Sequence, residues 1–148
     1  MRRFPHLTHS MTIVTSVVLC CALVACSALG RPQAPPLEPV PVTDLNIVAG
    51  TWEGIMVQSP PTRSDDWIIL RIQGDGTYQF EMVRTIGVFK GSGRFFLEDG
   101  RLEAKSETGW VKAQLHRHVG MDDRVLKVEG SASHGVTYHA QLTPKRLS

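Results

Sequence analysis

Side chains alternate between apolar and polar through most of residues 43–146, and this period of two limits the fold more than any other feature. Ile68, Leu70 and Ile72 share one face of the first clear run. Tyr78, Phe80, Met82 and Ile86 share the next, with Gln79 and Glu81 opposite. Phe89, Gly91, Gly93, Phe95 and Leu97 follow, then Val111, Ala113, Leu115 and Val119, then Val136, Tyr138, Ala140 and Leu142. Turn residues fall where these runs stop: Asp75-Gly76 and Asp99-Gly100 supply the positive φ angles of tight hairpins. The spacing predicts eight strands, over 46–58, 67–73, 77–86, 88–97, 101–106, 110–119, 124–131 and 136–143. No stretch carries a 3.6-residue apolar stripe. Short connections favour an antiparallel meander, and closing it would remove exposed edges, so the expected fold is all-β, a small eight-stranded antiparallel up-and-down β-barrel.

The N-terminus has a different character. Arg2 and Arg3 precede residues 11–25, an uncharged and mainly apolar run. A spanning helix needs about 20 such residues, so the run is too short to span and has the layout of an export signal. Cleavage near Ala25 or just before Cys26 is compatible with the residues. Leu23-Val24-Ala25-Cys26 resembles the lipobox of bacterial lipoproteins. The resemblance implies that Cys26 is diacylated on sulfur, freed by cleavage and then N-acylated. Ser27, in place of an aspartate, resembles the pattern of lipoproteins sent to the outer membrane. The expected location is the cell outer membrane, or the plasma membrane if the host has one membrane. Cys20, Cys21 and Cys26 are the three cysteines, so a chain cut before Cys26 has no internal disulfide.

Removing Arg2 and Arg3 from 16 basic residues, against 14 acidic ones, brings the formal net charge to zero. The basic balance of the full chain is therefore no nucleic-acid footprint. Prolines crowd residues 31–41 and predict an extended spacer. The expected organisation is a signal peptide over 1–25, a lipidated cysteine and proline-rich linker over 26–42, and the barrel over 43–148.

Gly50-Thr51-Trp52 on the first expected strand resembles the Gly-x-Trp signature of the calycins, the grouping of lipocalins, fatty-acid-binding proteins and avidins. The resemblance implies a tryptophan closing the barrel floor beneath a cation from near the chain's end. Lys145 and Arg146 are the first candidates for that cation and Arg124 the second. It also implies an interior that takes one small ligand, and Trp52 together with the inward aromatics Tyr78, Phe80, Phe95 and Tyr138 are the expected binding residues. Gly91 and Gly93 on an inward face serve either strand curvature or room for a ligand, with curvature the favoured role.

No constellation for chemistry assembles. His116 and His118 lie two apart, but parity turns them outward, as it does His139. Ser133-His134 are neighbours in a turn. Asp65-Asp66, Glu98-Asp99 and Asp122-Asp123 fall in expected loops. No nucleophile elbow or phosphate loop occurs. The expectation is a non-enzymatic, lipid-anchored envelope protein without cofactor or metal, binding a small apolar or amphipathic ligand. The alternative is a filled barrel that engages another envelope protein, an enzyme to be inhibited or cell-wall glycan through loop 58–66.

Overall fold

A computed structural model describes residues 35–59, 66–84, 87–107, 109–132 and 135–146. Cys26, the export signal, residues 60–65, Ile86, Ser133 and His134 lie outside the described residues. Ten strands form among the described residues: β1 (Leu37–Pro39), β2 (Gly50–Ser59), β3 (Asp66–Ile72), β4 (Thr77–Arg84), β5 (Gly87–Arg94), β6 (Phe96–Glu98), β7 (Arg101–Ser106), β8 (Gly109–His118), β9 (Arg124–Ala132) and β10 (Thr137–Pro144). Every pairing is antiparallel, in the order β5-β4-β3-β2-β10-β9-β8-β7-β6, and the sheet curls into a half-barrel. All-β antiparallel architecture is thus what the alternation produces.

Burial follows parity in β3, β8 and β10, whereas Phe89, Leu97 and Val119, which the alternation groups with inward residues, are exposed. Ile68, Leu70 and Ile72 of β3 are buried, and Ala113 and Leu115 of β8, Leu126 of β9, and Ala140 and Leu142 of β10 join them in one core. Each residue of that set comes from the concave face, so the core is the inside of the curl. Asp99 (φ 50°) and Gly100 (φ 74°) make the two-residue β6–β7 turn, both in the left-handed region that such a hairpin requires. At the β3–β4 turn the Asp75 carboxylate accepts from the Thr77 backbone N–H at 2.9 Å and from the Thr77 hydroxyl at 2.7 Å. These bonds and the nearby Arg94 hold the Asp75 carboxyl below its ordinary range.

The structure corrects the expectation of eight strands in three places. First, the strand expected over 88–97 breaks at Phe95. The Phe95 backbone N–H donates to the Gly76 carbonyl at 2.9 Å, which ties the chain to the β3–β4 turn and separates β5 from β6. Secondly, residues 46–48 are not strand: Leu45–Ile47 form a short 3-10 helix, capped by the Asp44 side chain accepting from the Asn46 N–H at 2.8 Å. Thirdly, part of the proline-rich stretch is strand. β1 pairs with β8, Leu37 opposite His118 and Pro39 opposite His116. It lies at a sheet edge, where proline is tolerated. The Val40 N–H donates to the Leu115 carbonyl, the Val42 N–H to the Gly100 carbonyl, and Val42 is buried. The folded body therefore begins before residue 43.

Pairing along the sheet ends at β5 on one side and at β6 on the other. Continuing the β6–β7 register upward would set Arg94 opposite Lys105 and Gly93 opposite Ser106. No such pair forms among the described residues, so β5 and the upper half of β7 diverge.

Candidate functional site

The concave face lines a partly open cavity of about 420 Å³. Small-molecule sites run from about 300 to 1,000 Å³, so the space suits one small ligand. Tyr78 and Phe80 enter it from β4, Phe95 from the β5–β6 junction and Tyr138 from β10. These are four of the five residues expected from the sequence, and the fold brings them together. Met56, Met82, Val111, Val128 and Ala140 also line the cavity; Met82, Val111 and Ala140 lie on faces that alternation had grouped as inward, although none of the five was named as a binding residue. The faces of those three were legible; their depth along the strand was not.

Trp52, the fifth expected residue, lies outside the lining. Its ring is buried at the floor, and its indole N–H donates to the Val48 carbonyl at 2.8 Å. Arg124 at the start of β9 covers it, the guanidinium 5.8 Å from the ring centroid, and donates to the Ile47 carbonyl at 3.0 Å. The 3-10 helix, Trp52 and Arg124 form one plug. Lys145 and Arg146, the first candidates for this cation, go elsewhere. Pro144 pairs with Trp52, so Lys145 falls level with outward-facing Thr51 and reaches Glu53 at 3.5 Å, while Arg146 reaches Asp123 at 4.0 Å.

Gly91 and Gly93 are answered by the rings across from them. Phe80 pairs with Gly91 and Tyr78 with Gly93. A Cβ built on Gly91 would collide with the Phe80 ring, and one on Gly93 with the Tyr78 phenol. The glycines give the two rings a place to lie against β5, so the role of making room, here for side chains, overrides the favoured role of curvature. Tyr78 also stacks on Phe95, with centroids 4.3 Å apart and planes at 31°. Burial pushes the Tyr78 phenol above its ordinary value of 10.0.

Two charges face inward at the end of the sheet where β3 begins and β4 stops. Asp66 is buried and lies 2.9 Å from Arg84, whose side chain is 13% exposed. The Arg84 Nε–H does not aim along a hydrogen bond, so the contact is an ion pair by proximity. The Phe89 ring lies over the guanidinium at 4.8 Å from its centroid, and Arg84 Nη2 is 3.4 Å from the Met82 sulfur. This cluster is a polar collar above the aromatic interior, and alternation alone had not marked it.

The cavity is also lined by Ser92 and Arg94 of β5 and by Lys105 and Ser106 of β7. It therefore reaches the surface along the seam where those strands diverge. His116 and His118 contact the backbone carbonyls of Gln114 (3.1 Å) and Pro35 (2.9 Å), away from the interior. No group of three or more His, Cys, Asp or Glu side chains suited to a metal occurs among the described residues. No protein-family model matches the chain, and no curated protein matches its sequence.

Proposed function

We propose that this chain is a lipid-anchored envelope protein whose calycin-like barrel holds one small apolar or amphipathic ligand. The observation that carries this reading is the cavity itself. A sheet that could have filled its interior with its own side chains leaves about 420 Å³ among Tyr78, Phe80, Phe95, Tyr138 and their aliphatic neighbours. The ligand's apolar part occupies that space and any polar end lies toward the β5–β7 seam or the Asp66–Arg84 collar. Trp52 supports the site from below rather than touching the ligand. Acyl chains on Cys26 retain the protein at the membrane, because two or more chains give stable anchoring where one does not.

Displacement of an environment-sensitive dye by long-chain alcohols, carboxylates and phospholipids tests the cavity. Saturable displacement that is lost in Ala140→Phe, a substitution filling the interior, is the expected result. Displacement unchanged by Ala140→Phe, or none with any apolar ligand, would overturn the reading. Mass spectrometry of the protein from membranes tests the anchor, and an unmodified Cys26 would remove it.

A further inference from the structure

Among the described residues, five exposed apolar side chains form a broken girdle near one end of the curled sheet, interrupted between Val57 and Trp110 by the exposed His139 and Glu129, and the cavity reaches that end. Trp67, Val83, Val88 and Trp110 are each the second residue from that end of β3, β4, β5 and β8, and Val57 is third from it on β2. They are 44, 45, 54, 36 and 46% exposed, in that order. Ile55, Trp67, Val83 and Val88 stand in direct cross-strand register, a continuous apolar row over four strands without a charge in it. Asp66 and Arg84, the inward charges of this end, neutralise one another. Lys105, on β7 at the same end, is met by Glu103 at 3.3 Å and Glu98 at 3.9 Å.

From this girdle we infer that the barrel docks end-on against the surface of a phospholipid bilayer, with its mouth toward the lipid. The placement of the two tryptophans selects a planar occupant. β3 and β8 are separated in the sheet by β2, β10 and β9, so Trp67 and Trp110 stand well apart around the curl. A partner lying on the flank, including a second copy of this chain, covers the Ile55–Val88 row and leaves Trp110 in water. A plane across the end meets both. Tryptophan also favours the water–hydrocarbon boundary, with its ring in the apolar layer and its N–H among the head groups. The girdle adjoins the cavity, since Trp110 lines its opening. An acyl chain leaving the bilayer would pass from lipid to cavity without crossing water. The row lacks charge, so docking depends on apolar burial and needs no anionic lipid. This inference extends the proposed cavity function and names where its ligand comes from.

The test uses the full chain carrying Cys26→Ser, which cannot be acylated, and vesicles of phosphatidylcholine with brominated acyl chains. Residues 11–25 can hold any variant to a vesicle, so the readout is the quenching of Trp67 and not co-sedimentation. Trp110→Phe leaves Trp67 as the exposed indole, and Trp67→Phe/Trp110→Phe supplies the background from Trp52. Bromolipid is expected to quench Trp67 equally at low and high salt. Val83→Lys/Val88→Glu, opposite charges on two exposed and paired positions, is expected to abolish that quenching while the melting temperature holds. Trp67 remaining unquenched on vesicle-bound protein would overturn the inference. Shielding of Trp67 from iodide without vesicles, together with a dimer in sedimentation velocity, would assign the row to a second copy and overturn it equally. Loss of dye displacement with Trp67 quenching intact would sink the cavity reading alone.

Discussion

Arg124 lies across the Trp52 ring at 5.8 Å from its centroid, and the same guanidinium closes the 3-10 helix by donating to the Ile47 carbonyl. Partly exposed cation–π contacts contribute about 0.5–1 kcal/mol and a hydrogen bond about as much again, so Arg124→Met is expected to cost ~1–2 kcal/mol. Lys145→Met and Arg146→Met remove exposed ion pairs and should each change stability by less than about 1 kcal/mol. Urea unfolding of the three variants checks the order. Equal losses would mean that the floor is not closed by Arg124.

Gly91→Ala presses a methyl group into the Phe80 ring, and Gly93→Ala does the same to Tyr78. Overpacking of this kind costs about 1–3 kcal/mol, and the displaced ring has only the cavity to enter. Both variants should melt lower and bind the displacement dye more weakly. A glycine present for curvature alone would lower the melting temperature and leave dye affinity unchanged.

Asp66→Asn leaves the Arg84 charge without its partner in a mostly buried setting. Breaking a fully buried pair costs about 3–5 kcal/mol, and the partial exposure of Arg84 reduces that to ~2–4. Asp66→Leu/Arg84→Met removes both charges and should be less destabilised than Asp66→Asn. A double-mutant cycle by chemical denaturation reads the coupling directly.

The strand formed by Leu37–Pro39 and the buried Val42 belong to the folded body. Val42→Ala is expected to cost about 1–3 kcal/mol from lost burial and the space left behind. A chain starting at Thr43 should show fast hydrogen exchange at the Val119 amide, because its acceptor, the Pro36 carbonyl, goes with the deleted segment. Equal protection in the shortened and full chains would return the boundary to residue 43.

Acid and alkali should weaken the fold through different groups. Hydrogen bonding from Thr77 lowers the Asp75 carboxyl, that from Arg71 lowers Glu81 and that from Lys112 lowers Glu103. Their stabilisation is present above the ordinary carboxyl values of 3.8 and 4.5 and is lost as pH falls through the lowered ones. Tyr78 works in the opposite sense. Its raised phenol contributes fully below pH 10.0, and that contribution is lost as pH rises through the raised value. Thermal melts across pH should decline at both ends, and Tyr78→Phe should remove part of the alkaline decline only.

Strand identity in β3, β4, β8 and β10 was readable because a period-two pattern is a local property: Ile68, Leu70 and Ile72 are apolar whatever packs on them. The Asp99-Gly100 turn was readable for the same reason, since positive φ is a matter of one or two residues. Four inward aromatics of the cavity followed from parity as well. Where the chain pairs at long range, parity says nothing. The break at Phe95 depends on the carbonyl of Gly76, nineteen residues earlier, and β1 on an edge offered by β8. Trp52 was expected both to close the floor and to bind; its bond to Val48 and the Arg124 guanidinium over its ring keep it at the floor, outside the cavity lining.

Alternation along the chain was enough to make this an antiparallel β protein with an aromatic concave face, because backbone geometry sends neighbouring side chains to opposite sides without reference to anything distant. Whether that face would close up or stay hollow, and which cation would lie over Trp52, depended on contacts between strands far apart in the chain. Those contacts turn on shape and register in three dimensions, quantities that no short window of residues contains.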